Sequence, residues 1–212
     1  MSTLEQMAEN LMKGKASDVK ALVEQALSEN VPVGDILNKG LLSGMSVIGE
    51  RFKKNEVYVP EVLIAARAMK AGMEQLKPLL AAAGVQPKGT VVVGTVKGDL
   101  HDIGKNLVCM MLEGAGFKVV DAGINVESDK MVQLARENNA SLIGASALLT
   151  TTMTNMKSVV EAVKAADMVG KVKVMIGGAP VTQAFADEIG ADGYAPDAAS
   201  AADMAKKLAG VK

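Results

Sequence analysis

The chain has a single histidine among its 212 residues, His101, and a single cysteine, Cys109, so any chemistry that needs an imidazole must use one position. His101 lies in the segment Gly94-Thr95-Val96-Lys97-Gly98-Asp99-Leu100-His101-Asp102-Ile103-Gly104-Lys105-Asn106. Three common site types can be tested against that segment. A phosphate-cradling P-loop needs a Gly five residues before Gly104, where Asp99 stands, and a Ser or Thr after the lysine, where Asn106 stands. A dinucleotide fingerprint needs a different Gly spacing and would not set two carboxylates, Asp99 and Asp102, against a pyrophosphate. A zinc site needs several clustered imidazole or thiolate ligands, and this segment offers one.

What remains is one imidazole with a carboxylate two residues before it. That pair suits a metal that arrives with most of its own ligands. A corrin ring supplies four nitrogens to cobalt and leaves the protein one axial position to fill. Asp99 can accept the other ring N–H of His101, which fixes the tautomer and raises the basicity of the ligating nitrogen. Gly98 and Gly104 would let a wide ring approach the backbone. On these residues alone, a loop histidine with no ligand role stays open.

The segment follows the first of several short β-branched runs. Thr90 to Val93, Lys118 to Asp121, Ser141 to Gly144 and Val172 to Ile176 read as strands, with a weaker fifth at Gly193 to Ala195. Helical stretches alternate with them near residues 104–114, 127–138, 152–166, 181–189 and 198–209. Strands apolar throughout and separated by helices predict a doubly wound α/β domain, with a parallel sheet covered on both faces. Ligands bind such sheets beyond the carboxyl ends of the strands, where the strand order reverses. The His101 loop lies at such a carboxyl end.

Residues 3–84 read as helix. Thr3 with Gln6 is expected to cap the first helix, ending near Gly14, and Ser17 or Asp18 the second, running to about Asn30. A third helix after Pro32 should bury Leu37, Leu41, Gly44, Met45, Ile48 and Phe52, and should stop at Lys53-Lys54-Asn55. Pro60 suits the first turn of a fourth, with Val62, Ala66, Met69, Met73, Leu76 and Leu80 as its seam. The expected division is a small four-helix bundle over residues 1–88 and a Rossmann-like α/β domain over 89–212, joined through Gln86-Pro87-Lys88-Gly89.

Composition removes several function classes. The net charge of −1 is evenly spread, with 11 basic and 10 acidic residues up to residue 88 and 12 and 14 beyond it. With no Trp, two Tyr and three Phe there is little surface for stacking bases, so nucleic-acid binding is not expected. The amino terminus lacks a basic, then apolar, secretory signal, and no apolar run is long enough to span a bilayer. A cytoplasmic protein without membrane partners is expected. Cys109 has no partner for a disulfide or a zinc site and reads as a small core residue.

The string Asp99-x-His101-x-x-Gly104, then Ser146-x-Leu148, then Gly177-Gly178, resembles the B12-binding signature of cobalamin-dependent methionine synthase and of the small corrinoid proteins of methanol and methylamine methyltransferase systems. Gly49-Glu50-Arg51-Phe52 and Tyr58-Val59-Pro60-Glu61 are similar to that family's helical cap. The resemblance implies a flavodoxin-like fold with a helical cap and a cobalamin or related corrinoid, carried in its methylcobalamin form. It implies that His101 is the axial cobalt ligand and that Asp99 and Thr152, six positions after Ser146, complete a relay with it. It places Gly98, Leu100, Asp102, Gly104 and Leu148 at the cofactor, with Ser146 and Thr150 beside its buried tail. Gly177 and Gly178 would wall that slot, Ala198 would lie near its deep end, and Phe52 and Val59 would shield the upper face of cobalt. Helix capping by Ser146 and Thr150 to Thr152, a plain turn at Gly177-Gly178, and ordinary bundle core at Val59 are the alternatives for these residues.

The implied function is a methyl carrier cycling between methyl-Co(III) and Co(I), with no catalysis on its own. A substrate-specific methyltransferase would load it, a second would pass the methyl group to tetrahydrofolate or to a thiol such as coenzyme M, and a reductive activator would rescue Co(II). No segment for homocysteine, folate or activation is evident, so a detached shuttle subunit is expected. Two other classes carry the same loop: an adenosylcobalamin-dependent mutase subunit, against which the cap argues, and a B12-sensing regulator, for which no basic helix-turn-helix is evident.

Overall fold

A computed structural model describes residues 1–211. The chain forms two compact units, Met1–Gln86 with Gly114–Gly116, and Pro87–Glu113 with Phe117–Lys212.

The first unit is helical: α1 (Thr3–Met12), α2 (Ala16–Ser28), a continuous helical stretch from Val33 to Lys53, and α5 (Val59–Ala82). The expected cap of α1 is displaced by one residue. Ser2 caps Glu5, and Glu5 reaches back to the Ser2 N–H at 2.8 Å, so the capping box belongs to Ser2 and Glu5 instead of Thr3 and Gln6. Nor does Ser17 or Asp18 cap α2, whose N-cap is Lys15 with no side-chain bond. The stretch 33–53 opens with one turn, α3 (Val33–Asp35), passes through a π-helical segment at Ile36–Leu42, and continues as α4 (Ser43–Lys53). The wider π turns shift the phase, so Ile36, Gly40 and Leu42 are buried with Leu41, while Leu37 is only half-buried. Gly40 and Gly44 permit this packing, because a Cβ on Gly40 would run into Met7 and one on Gly44 into the Ala8 carbonyl of α1. Helix α4 stops where expected, with Asn55 in the left-handed region at φ 57°. In α5, Val62, Met69, Leu76 and Leu80 are buried as expected. Ala66 and Met73 are only half-buried, and Ala65, Ala68 and Gly72 are buried in their place.

The second unit is a five-stranded parallel sheet in the order β2-β1-β3-β4-β5. Its strands are β1 (Thr90–Val96), β2 (Lys118–Val126), β3 (Leu142–Ser146), β4 (Lys173–Gly177) and β5 (Gly193–Ala195). The helices between them are α6 (Ile103–Gly114), α7 (Ser128–Glu137), α8 (Thr150–Met153), α9 (Asn155–Ala165), α10 (Gln183–Ile189) and α11 (Ala198–Ala209). This is the doubly wound order, and it reverses between β1 and β3. One face carries Val92, Ile143, Ala145, Val174 and Ile176, packed with Met131, Val132 and Ala135 of α7 and Met156, Val159 and Val160 of α9. Each such fully buried Val or Ile stabilises the fold by roughly 1.5–3 kcal/mol.

Strands β1 and β2 run farther than their β-branched cores predicted, because the ladder continues through Gly94, which pairs with Gly123. A Cβ on Gly94 would sit 2.8 Å from Met131 Cε and 3.2 Å from Ala122 Cβ, so glycine serves close packing there. The register of β1 on β2 slips on either side of Gly94.

Candidate functional site

The reversal of strand order puts the loop after β1 beside the loop after β3, and His101 lies in the first of these. The β1 loop is held along its length. Asn155 Nδ2 donates to the Lys97 carbonyl at 2.8 Å, Gly98 N–H to Asn125 Oδ1 at 2.7 Å, and Asn125 N–H to the Asp99 carbonyl at 2.9 Å. Asp99 N–H donates to the Val96 carbonyl at 3.1 Å, and Thr95 Oγ1 to the His101 carbonyl at 2.8 Å. Gly98 turns the chain at φ 78°, a conformation that costs glycine nothing.

Asp99 is fully buried. Its Oδ1 accepts the His101 backbone N–H at 3.1 Å and lies 2.7 Å from the ring Nδ1. Its Oδ2 accepts Leu148 N–H at 2.8 Å, Leu149 N–H at 3.3 Å and the Thr152 hydroxyl at 2.6 Å. Thr152 Oγ1 is also 3.0 Å from the Leu149 carbonyl, but a hydroxyl has one proton and the shorter, charge-assisted contact takes it. Burial pushes the Asp99 carboxyl up, yet the bonds from Thr152, from the Leu148 and His101 amides and from the His101 ring outweigh it. The carboxyl is held well below the usual carboxylate range.

An ionised carboxylate can only accept, so the proton of the 2.7 Å contact belongs to Nδ1. In the neutral ring, Nε2 then keeps its lone pair, and among the described residues nothing hydrogen-bonds it. The ring is half exposed and rests on the rigidly held Asp99 carboxylate. Around it Leu100, Ile103, Leu148 and Leu149 are exposed apolar residues at the edge of the sheet. Among the described residues no three His, Cys, Asp or Glu side chains form a group able to hold a bare ion. One free imidazole nitrogen within an uncovered apolar rim fits a flat ligand whose metal brings its other donors.

The remaining expected residues fall into two sets. Across the sheet Thr95, Ser146, Gly177 and Ala195 are in register, a row of small residues on one face at the carboxyl ends of four strands. Ser146 is half-buried, and its hydroxyl has no hydrogen-bond partner among the described residues. Gly178 has φ 135°, and a Cβ there would lie 1.8 Å from the Ala147 carbonyl oxygen; one on Gly177 would lie 2.9 Å from that of Ala195. Both glycines therefore have a packing reason of their own. Ala198 is buried at the start of α11, which Asp197 caps through Ser200 N–H at 2.8 Å. Thr150 is exposed in the first turn of α8, whose N-cap, Leu149, makes no side-chain cap bond, so neither it nor Ser146 acts as a helix cap. Asp102 accepts Asn106 Nδ2 at 3.1 Å and serves the start of α6. A Cβ on Gly104 would meet nothing within 4 Å. Phe52 and Val59, half-buried, end α4 and begin α5 in the helical unit.

Sequence reasoning missed Thr95, Asn125 and Asn155, and the backbone donors of Leu148 and Leu149. A signal existed for Asn125, since Asn tolerates the left-handed backbone it adopts at φ 50°. In the sequence, Lys105 invites comparison only with a P-loop lysine. It is buried and bonds both oxygens of Asp121 at 2.5 and 2.6 Å, so its ammonium is already committed. The Cys109 thiol, pushed up to about 12 chiefly by burial, is not a nucleophile at neutral pH.

Two family models match this chain, each described as a B12 binding domain, one over residues 89–203 and the other over residues 3–77. The dimethylamine corrinoid protein of Methanosarcina barkeri is 46% identical over 206 residues, covering 97% of this chain and 96% of its own. A corrinoid protein of Desulfitobacterium hafniense strain Y51 is 40% identical over 213 residues, covering 99% of each chain. Among solved structures, the methanol:cobalamin methyltransferase complex of Methanosarcina barkeri matches with a TM-score of 0.88 at 28% identity, over 99% of this chain and 80% of that one. A cobalamin-binding protein of Desulfitobacterium hafniense DCB-2 matches at 0.80 and 29% identity, over 97% and 98%. With the doubly wound sheet, the Asp99–His101 pair at its switch point and a helical unit before it, the chain belongs to the B12-binding corrinoid proteins.

Proposed function

We propose that this protein is a corrinoid-bound methyl carrier in which His101 Nε2 is the lower axial ligand of cobalt. The observation that carries the reading is the free Nε2 lone pair, left by an Nδ1 proton committed to buried, ionised Asp99. A bound cobalt corrinoid supplies a metal that accepts a methyl group as a nucleophile and gives it up to a second nucleophile. His101 would hold it through Nε2, and Asp99 with Thr152 orients the imidazole and tunes its basicity. Gly98, Leu100, Asp102, Gly104 and Leu148 flank the ring, and the exposed side chains of Leu100 and Leu148 offer it apolar contact.

Ser146 and Thr150 supply hydroxyls for the polar atoms of a buried tail, between walls formed by Gly177 and Gly178 and with Ala198 at depth. The half-buried Ser146 hydroxyl, with no hydrogen-bond partner among the described residues, is available for that role. Residues 1–88 serve as the cap, with Phe52 and Val59 shielding the upper face from water. That cap must yield when a partner docks.

The reading makes the chain a carrier subunit, not a catalyst alone. Its partners are a substrate-specific methyltransferase, an acceptor methyltransferase using tetrahydrofolate or a thiol such as coenzyme M, and a reductive activator. The names of its relatives favour methylamines as donors. Among the described residues no helix is long and apolar enough to cross a membrane. The test is to load the protein with cobalamin, reduce it, and follow methylation of the bound corrinoid by purified methyltransferases supplied with mono-, di- or trimethylamine, methanol, betaine or methoxylated aromatics. Methylation from one donor class is expected; none from any donor would overturn the carrier reading.

A further inference from the structure

Thr95 is buried completely, yet it is a polar residue in an interior strand of the sheet, one position from the end of β1. Its hydroxyl donates to the His101 carbonyl at 2.8 Å. The His101 amide donates to Asp99 Oδ1 at 3.1 Å, and the ring Nδ1 lies 2.7 Å from the same oxygen. Every polar group of His101 except Nε2 is therefore engaged, on its amino side by Asp99 and on its carboxyl side by Thr95. The two restraints are independent, since Thr95 makes no hydrogen bond to Asp99 or Thr152. Two residues earlier, Asn125 holds the loop from the neighbouring strand, accepting from Gly98 N–H at 2.7 Å and donating its own N–H to the Asp99 carbonyl at 2.9 Å.

We infer that Thr95 is a positioning residue for the axial histidine, acting beside the Asp99–Thr152 pair instead of through it. The inference rests on the cobalt-ligand reading of His101. Orientation of the ring alone leaves the main chain free to carry the imidazole away from a metal held elsewhere. The Thr95 hydroxyl pins that main chain to β1. With that main chain fixed, Nε2 would be presented to a bound cobalt from one place, without a search through loop conformations. Asn125 adds a second, weaker tether, because it is exposed and water can replace it.

The test uses the full chain loaded with cobalamin and brought to the Co(II) state. There, with the protein's histidine labelled with nitrogen-15, the electron paramagnetic resonance spectrum reports the bound imidazole as a two-line splitting of each cobalt line, distinct from the three lines of the cofactor's own base. Wild type, Thr95→Val, Thr95→Ser, Asn125→Gly and His101→Ala are compared at the pH where wild type is half histidine-ligated, with thermal melts of the apoproteins alongside. Thr95→Val keeps the shape and removes the donor. It should lower the ratio of histidine-ligated to histidine-free cobalt about fivefold, the worth of one buried hydrogen bond of ordinary strength. Thr95→Ser should stay near wild type, and Asn125→Gly, which keeps the left-handed backbone, should lower the ratio about twofold. A wild-type ratio in Thr95→Val overturns the inference. Should the apoprotein of that variant fail to fold, Asn125→Gly with a wild-type ratio and Thr95→Ser below it would overturn it equally. Absence of the two-line splitting in wild type, or its persistence in His101→Ala, would instead bring down the ligand assignment itself and the inference with it.

Discussion

The loop after β1 and the turn after β4 both carry signature residues at the carboxyl edge of one sheet, yet opposite physics maintains them. Asp99 and His101 are held by polar contacts, with five donors on a buried carboxylate and one nitrogen left free. Gly177 and Gly178 are held by crowding, with no room for a methyl group against the carbonyls of Ala195 and Ala147. Motif residues of equal standing in the sequence thus do different work: the first loop presents chemistry, and the second lets the backbone pass.

The comparison breaks most sharply at Gly178. Gly178→Ala places a Cβ 1.8 Å from the Ala147 carbonyl oxygen at a φ of 135°, and should destabilise the apoprotein by about 4 kcal/mol or more. Urea unfolding of apoprotein measures it. A loss confined to corrinoid affinity would mean that the turn is kept for the ligand after all.

Asp99→Asn comes next. The amide keeps the shape but must meet at least one N–H donor with its own, so a loss of about 2–3 kcal/mol is expected at pH 7. Its pH dependence has a definite sign. The Asp99 pKa is depressed in the folded state, so its stabilising share is present above the unfolded value near 4 and is lost as pH falls from there toward the lower folded value. Apoprotein stability should fall in that acid range more steeply for wild type than for Asp99→Asn; parallel curves would show that the carboxylate is not held ionised by these bonds.

The smallest effect on the fold is expected at Gly104, where an added Cβ meets nothing. Gly104→Leu should leave apoprotein stability within about 0.5 kcal/mol. It should weaken cobalamin binding, read by equilibrium titration, if the space over the start of α6 is filled by a corrin ring. Unchanged affinity would remove Gly104 from the cofactor set.

Much of the α/β unit was legible because its strands are apolar throughout and its helices keep their period. All five strands and the helices between them lie where their cores predicted, apart from a break at Thr154 between α8 and α9. The helical unit was legible in number of segments but not in phase. The π segment at Ile36–Leu42 rotates the buried face by a hydrogen-bond pattern that leaves no mark on residue types. At the site, His101 and Asp99 were readable as types at fixed spacing, and Thr152 only through the resemblance to the B12-binding signature. Thr95 and the Leu148 and Leu149 amides were not, because one reads as an ordinary strand residue and the others act through the main chain. Their roles come from the register of β1 against β3, which only the folded chain supplies.

The central claim is that His101 Nε2 ligates cobalt, and one comparison tests it most directly. His101 is half exposed, and His101→Ala should shift apoprotein stability by no more than about 1 kcal/mol. Wild type and this variant are each loaded with cobalamin, reduced to Co(II), and examined by electron paramagnetic resonance. The account predicts nitrogen splitting from a protein imidazole in wild type and its loss in His101→Ala, with the variant still folded and able to take up corrinoid. Identical spectra from the two proteins would contradict it.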